Sequence, residues 1–97
     1  MIIIHAHIIV KPNCRKVFLE QVQNLITSSQ EEEGNYVYEL YEDTKQANAF
    51  VMLEKWKDQA SVEKHNQAPH FIQFGGVAKD LLQEPLRIET YEVTATL

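Results

Sequence analysis

The residues with most capacity for chemistry lie between Glu54 and Phe74. Glu54 and Trp56 are two positions apart in the run Ala-Phe-Val-Met-Leu-Glu-Lys-Trp, residues 49–56, which reads as a β-strand. On a strand they share a face with Met52 and Phe50. A carboxylate beside an indole and a thioether forms an apolar wall with one polar anchor, suited to an aromatic or quinol-like ligand. Burial against Trp56 raises the carboxyl pKa and lets Glu54 exchange a proton near neutral pH. The competing role is structural, with Trp56 in the core and Glu54 in an ion pair or hydrogen bond.

His65 follows Val62 by three residues in a short helical segment, so the two share the inward face. Its imidazole can shuttle a proton or hold a carbonyl oxygen, or it can be a buried side chain bonded to backbone. His70 opens the next helix, where it can cap, face solvent or line the same cavity. Tyr36 and Tyr38 share a strand face and Tyr41 points the other way; one is expected to offer a hydroxyl to a pocket, or all can serve cross-strand packing. His5 and His7 also share a strand face, with Ile3 and Ile9. Two ligands do not make a metal site, and their expected place is a contact between sheets. Cys14, at a helix start, has no evident base near it and is expected to cap or pack. The chain has no Gly-x-Gly-x-x-Gly and no P-loop motif, and Gly75-Gly76 alone does not cradle phosphate.

These groups need a scaffold, and the apolar periodicity supplies one. Residues 2–10 are dominated by β-branched side chains, as in a largely covered strand. Lys11-Pro12-Asn13 ends it, and Asn13 can cap a helix from Cys14 to about Gln30. Cys14, Val17, Phe18, Val22, Leu25 and Ile26 fall on one face of that helix; Leu19 lies off it. Glu31-Glu32-Glu33-Gly34-Asn35 stops the helix, with Gly34 or Asn35 taking a positive φ. Tyr36–Glu42 and Ala49–Trp56 form an antiparallel pair joined by a polar link. Asp58 caps a helix over Gln59 to about Gln67, and Pro69 stops it and opens the next. Phe71, Phe74, Val77, Ala78, Leu81 and Leu82 follow at helical spacing, with Gly75-Gly76 predicting a kink or two short helices. The last strand is expected over Leu86–Thr96. The order β-α-β-β-α-β is ferredoxin-like, an α+β arrangement with helices on one sheet face. The other face, in part apolar, needs a cover, and a second copy of the chain is expected to supply it; the weaker alternative is a monomer whose outer face is mostly polar.

The sequence has 97 residues, enough for one domain spanning 1–97 with little volume for a deep internal cavity. Nine Lys and Arg against fourteen Asp and Glu give a net charge of −5, and the basic residues form no stripe, so nucleic acid and acidic membranes are not expected partners. The apolar N-terminal run is broken by His5 and His7 and reads as neither a signal peptide nor a membrane span. One Cys allows no internal disulfide and fits a cytoplasmic location.

Glu32-Glu33-Gly34-Asn35, the strand end Glu54-Lys55-Trp56-Lys57-Asp58, and His65 through Pro69-His70-Phe71 together resemble the antibiotic biosynthesis monooxygenase family. These are small dimeric α+β barrels that include quinol monooxygenases, and the chain looks especially similar to members related to the enzyme that processes the phosphorylated autoinducer-2 signal. The resemblance implies a ferredoxin-like dimeric α+β barrel and a homodimer. It also implies a monooxygenase, an oxidoreductase that acts on a small aromatic or quinol molecule without a cofactor. His65 and Glu54 are its expected catalytic groups; Trp56, Met52, Tyr38, His70, Phe71 and Phe74 are expected to bind substrate, and no metal is expected. Haem-degrading relatives pair a first-strand Asn and a later His with the Trp; here Ala6 and Gly75 fall near those positions, so haem breakdown is not expected. Two alternatives stay open. One is an isomerase or hydrolase-like enzyme on a small phosphorylated carbonyl signal, the other a non-catalytic ligand-binding dimer.

Overall fold

The computed structural model describes residues 1–97. Its elements run β1 (Ile2–Ile9), a 3₁₀ turn (Pro12–Cys14), α1 (Arg15–Gln30), β2 (Asn35–Glu42), β3 (Ala49–Trp56), α2 (Gln59–Asn66), α3 (Pro69–Leu81) and β4 (Arg87–Glu92). The four strands form one antiparallel sheet in the order β2-β3-β1-β4, the ferredoxin-like topology expected from the element order.

Strand alternation divides the chain between two sheet faces. Ile2, Ile4, Ala6 and Ile8 of β1 are buried toward the helices, as are Phe50, Met52, Glu54 and Trp56 of β3. Phe18, Val22 and Leu25 of α1 and Leu81 of α3 close over them to complete one core. Arg15 pins the start of α1 to the end of β2 through a two-pronged contact with Glu42, at 2.5 and 2.8 Å. That contact holds the Glu42 carboxyl down at about 2, below its ordinary range. The opposite face carries Ile3, His5, His7 and Ile9 beside Val51 and Leu53, all only half-buried, and no element of the chain lies over it.

Several local expectations are corrected. Asn13 does not cap α1: Pro12 starts a 3₁₀ turn, closed by Cys14 N–H donating to the Lys11 carbonyl, and Asn13 is absorbed into it. Val17 is 44% exposed because the buried stripe runs Phe18, Val22, Leu25, Ser29, about 100° around the helix from it. Gly75-Gly76 neither kinks nor splits α3, which is one continuous helix. Ala78 and Leu81 are buried and Phe74 is packed on the core, and this tertiary contact outweighs the cost of two helical glycines, about 1 kcal/mol each. β4 spans six residues, Arg87–Glu92, and ends where pairing with β1 ends at Ile2↔Glu92.

Gly34 carries the turn after α1, at φ +89°. A Cβ there would stand 2.3 Å from Ser61 Oγ, on the first turn of α2, and the Gly34 carbonyl accepts from Lys57 N–H at 2.8 Å. At Gly75 a Cβ would meet nothing within 4 Å. Gly34→Ala should therefore destabilise the protein by more than ~1 kcal/mol, whereas Gly75→Ala should be neutral or stabilising by up to ~1 kcal/mol; urea unfolding of both variants checks the contrast.

Candidate active site

Each candidate side chain is placed by a local rule. β3 alternation sends Met52, Glu54 and Trp56 toward the helices, and pairing sets Tyr38 of β2 directly across from Glu54. Asp58 caps α2 by accepting from Ser61 N–H at 2.9 Å, which starts the helix three residues beyond Trp56 and turns Val62 and His65 inward. Pro69 at the first position of α3 reverses the chain and brings His70 and Phe71 back beside His65. Glu32 lies just past α1, in the turn that Gly34 allows.

These elements converge on one carboxylate oxygen. Glu32 Oε2 stands 2.6 Å from His65 Nδ1 and 2.8 Å from His70 Nε2. The His65 side chain is 1% exposed, against 15% for Glu32 and 16% for His70. Rings enclose His65 on three sides: Trp56 at 4.6 Å between centroids, Phe71 at 4.8 Å and Tyr38 at 5.3 Å. A carboxylate only accepts, so each imidazole presents an N–H to Glu32. His65 Nε2 is then left buried without a hydrogen-bond partner. Burial lowers the His65 pKa and outweighs the opposing pull of Glu32, and the positive charge available to His70 lowers it further. The result is a neutral imidazole, anchored at Nδ1, with a bare nitrogen among aromatic rings.

Glu54 is the second unusual acid. Trp56 Nε1–H donates to its Oε1 at 3.0 Å, and both side chains are buried. Burial pushes its carboxyl up to about 7; the Trp56 hydrogen bond works against this and the charge of Glu32 adds to it. Tyr38 is raised above the ordinary phenol range by burial first and by Glu54 next. Ser29 lies close enough to Tyr38 to ease its ionisation, yet its buried Oγ closes no hydrogen bond of ordinary geometry.

The structure thus brings together Glu54, Trp56, Tyr38, His65, His70 and Phe71, while Met52 lies deeper, packed in the core beneath the helices. Trp56, His65 and Glu54 fill the layer between sheet and helices. The adjoining open space is an apolar groove of about 480 Å³ along α3, lined by Phe71, Phe74, Gly75, Ala78 and Leu82 and closed by Pro85 and Leu86 before β4. Phe71 belongs to both, with one edge on His65 and the rest on the groove. Phe74 lines the groove and also a notch of about 150 Å³ beside His70.

Sequence reasoning missed Glu32 as a site residue. It read as part of a helix stop and of the stretch that carries the family resemblance, with no role of its own, because its partner His65 is 33 residues away and no spacing rule links them. Glu32, His65 and His70 place their donor atoms within 4.8 Å of one another, a set a divalent ion could use. Ligation through His65 Nδ1 would, however, move the ring proton to Nε2, which is buried without an acceptor. The hydrogen-bonded arrangement avoids that cost. His5 and His7 lie apart from this site on the open sheet face, where Glu89 Oε1 is 2.7 Å from His7 Nε2 and 3.9 Å from His5 Nδ1. Tyr36 and Tyr41 are exposed and take no part, and only Tyr38 reaches the interior.

The raised Glu54 pKa has a defined sign for stability. A carboxyl that holds its proton better in the folded state favours folding below about pH 4.5, and this contribution fades as pH rises through about 7. Glu54→Gln, which stays neutral, should be relatively more stable at pH 8 than at pH 4. The difference should be on the order of 3 kcal/mol at most, read by urea unfolding across that range; a parallel pH dependence in both proteins would contradict the burial of an ionisable Glu54.

Comparison with known proteins agrees with this architecture. The family model described as antibiotic biosynthesis monooxygenase matches residues 1–76. The chain is 45% identical over 94 residues to YcnE of Bacillus subtilis, a protein whose name carries a provisional monooxygenase assignment, and the match covers 97% of this chain and 99% of YcnE. A solved structure of a conserved protein from Methanosarcina mazei superposes with a TM-score of 0.90 at 29% identity, covering 93% of this chain and 89% of that one. Rv0793 from Mycobacterium tuberculosis shares the fold at a TM-score of 0.92 and 20% identity, covering 98% and 96%. With the fold, the family match and a full-length relative in agreement, the chain belongs to the antibiotic biosynthesis monooxygenase family.

Proposed function

We propose that the protein is a cofactor-independent monooxygenase acting on a small electron-rich phenol or quinol. The observation that carries the reading is His65, an almost wholly buried imidazole fixed by Glu32 at Nδ1 and bare at Nε2, inside aromatic rings that adjoin an apolar groove. The name borne by YcnE points the same way.

In this reading the substrate ring enters along Phe71 and Phe74, and displacement of Phe71 admits its hydroxyl to His65 Nε2. Trp56 and Tyr38 form the wall behind it, with Met52 packed in the core beneath them, and His70 borders the site. Transfer of the hydroxyl proton to Nε2 leaves a phenolate, whose electrons are accessible to O₂ directly. One oxygen atom of O₂ ends on the ring carbon and the other leaves as water, and the ring, oxidised to a quinone, supplies all the electrons. In this reading Glu54, partly protonated near neutral pH, is the acid that gives a proton to the developing peroxide oxygen. An oxygen electrode with a panel of quinols checks the reading: His65→Ala should lower O₂ consumption by ~10²–10⁴-fold, and unchanged turnover would remove its proton-transfer role. The close packing of Trp56, His65 and Glu54 favours a second reading, a non-catalytic ligand-binding dimer. That reading predicts ligand-induced quenching of Trp56 fluorescence with no O₂ uptake.

We also propose that the open sheet face pairs with a second copy. Val51 and Leu53, across from His7 and His5, and Ile3 and Ile9 nearer the two ends of β1 are apolar side chains that lie half-exposed on it in one chain. Light scattering should give twice the chain mass, and Leu53→Glu should give a folded monomer; a monomeric parent protein would contradict the pairing.

A further inference from the structure

The arrangement of Glu32 between two imidazoles has a use that His65 alone does not explain. We propose that His70 is the proton-exchange partner of His65, and that the two rings share one positive charge through Glu32. This rests on the reading of His65 as a base. A proton taken from substrate by a wholly buried group must be matched by one released elsewhere, because an isolated buried charge is costly. His65 has no exit of its own, since both its ring and its bare nitrogen are enclosed. His70 has one: it is 16% exposed and lines the notch beside Phe74, where the other walls include the polar side chains of Gln21, Asn24 and Gln73.

With the shared charge on His70, both its ring nitrogens hold protons and His65 holds only the one on Nδ1, so Glu32 faces a single positive charge. Substrate O–H breaks and an N–H bond forms on His65 Nε2. Two imidazoliums now face one carboxylate, both N–H groups directed at the same Oε2, and the less buried ring yields its outer proton from Nδ1 to water in the notch. No net charge is added at Glu32, and the step reverses when His65 gives its proton up. The groups that face this pair are Glu32 from the turn after α1, Glu54 and Tyr38 from the sheet, and each imidazole from the other's helix. His70 acts through Glu32 and touches no reacting atom, which makes it a positioning residue for charge.

The test reads each imidazole by NMR titration of the intact protein, independently of turnover. In the parent protein the His65 signals should respond in two steps, one of them coincident with the titration of His70. His70→Gln, which removes the competing charge, should raise the His65 midpoint by on the order of one pH unit. Glu32→Gln should abolish the coupling. A single-step His65 titration that is unmoved in His70→Gln would overturn the proposal, and if that variant does not fold, the parent's one- or two-step response decides alone. With a quinol substrate, His70→Ala should lower kcat with little change in KM and recover with added imidazole buffer; a loss that no buffer restores would contradict proton exchange. Coupled titration without any O₂ uptake would leave the shared charge standing and remove the monooxygenase reading instead.

Discussion

One carboxylate oxygen holds three parts of this chain in register. Glu32 follows α1, His65 lies near the end of α2 and His70 opens α3, and all three meet at Glu32 Oε2. Hydrogen bonds to an ionised acceptor are about twice as strong as neutral ones. Removing the acceptor would leave His65 with two unsatisfied nitrogens in the interior. The position of the helix pair α2–α3 over the sheet, the enclosure of His65 by Trp56, Tyr38 and Phe71, and the course of the groove along α3 all follow from this junction. The glycine that permits it, Gly34, is fixed by a positive φ and by Ser61 pressing against it.

The two buried acids and bases near this junction differ because their surroundings differ. His65 is kept neutral by burial while Glu32 orients it; Glu54 is kept partly protonated near neutral pH by burial while Trp56 orients it. A base without its proton and an acid with its proton therefore coexist near neutral pH, the pairing that proton-transfer chemistry requires. A small domain can support this because the helices cover only one face of the sheet, where the core and the ionisable groups share the same layer.

Much of the fold was legible from alternation and helical spacing. β3 reads Ala49–Trp56 in sequence and in structure, Asp58 caps α2 as its type and place suggest, and Gly34 takes the positive φ. Misreadings occurred where a local rule met a tertiary contact. Gly75-Gly76 is helical because its neighbours are packed on the core, and Val17 is exposed although it is apolar, because a 3.6-residue period leaves it beside the stripe and not on it. Type and spacing singled out Glu54, Trp56 and His65, and the structure brings the three side chains together. Glu32 was not singled out, since a long-range hydrogen bond leaves no periodic trace, and a run of three glutamates at a helix end reads as solvated.

Binding of ligand at His65 is the pivot of the account. A crystal structure of the protein with a bound phenol that cannot be oxidised tests it most directly. The phenol oxygen should lie within hydrogen-bonding distance of His65 Nε2, with its ring against Phe71 and Phe71 turned from its unliganded position. A ligand held elsewhere, with Nε2 still enclosed by Trp56, Tyr38 and Phe71, would contradict it.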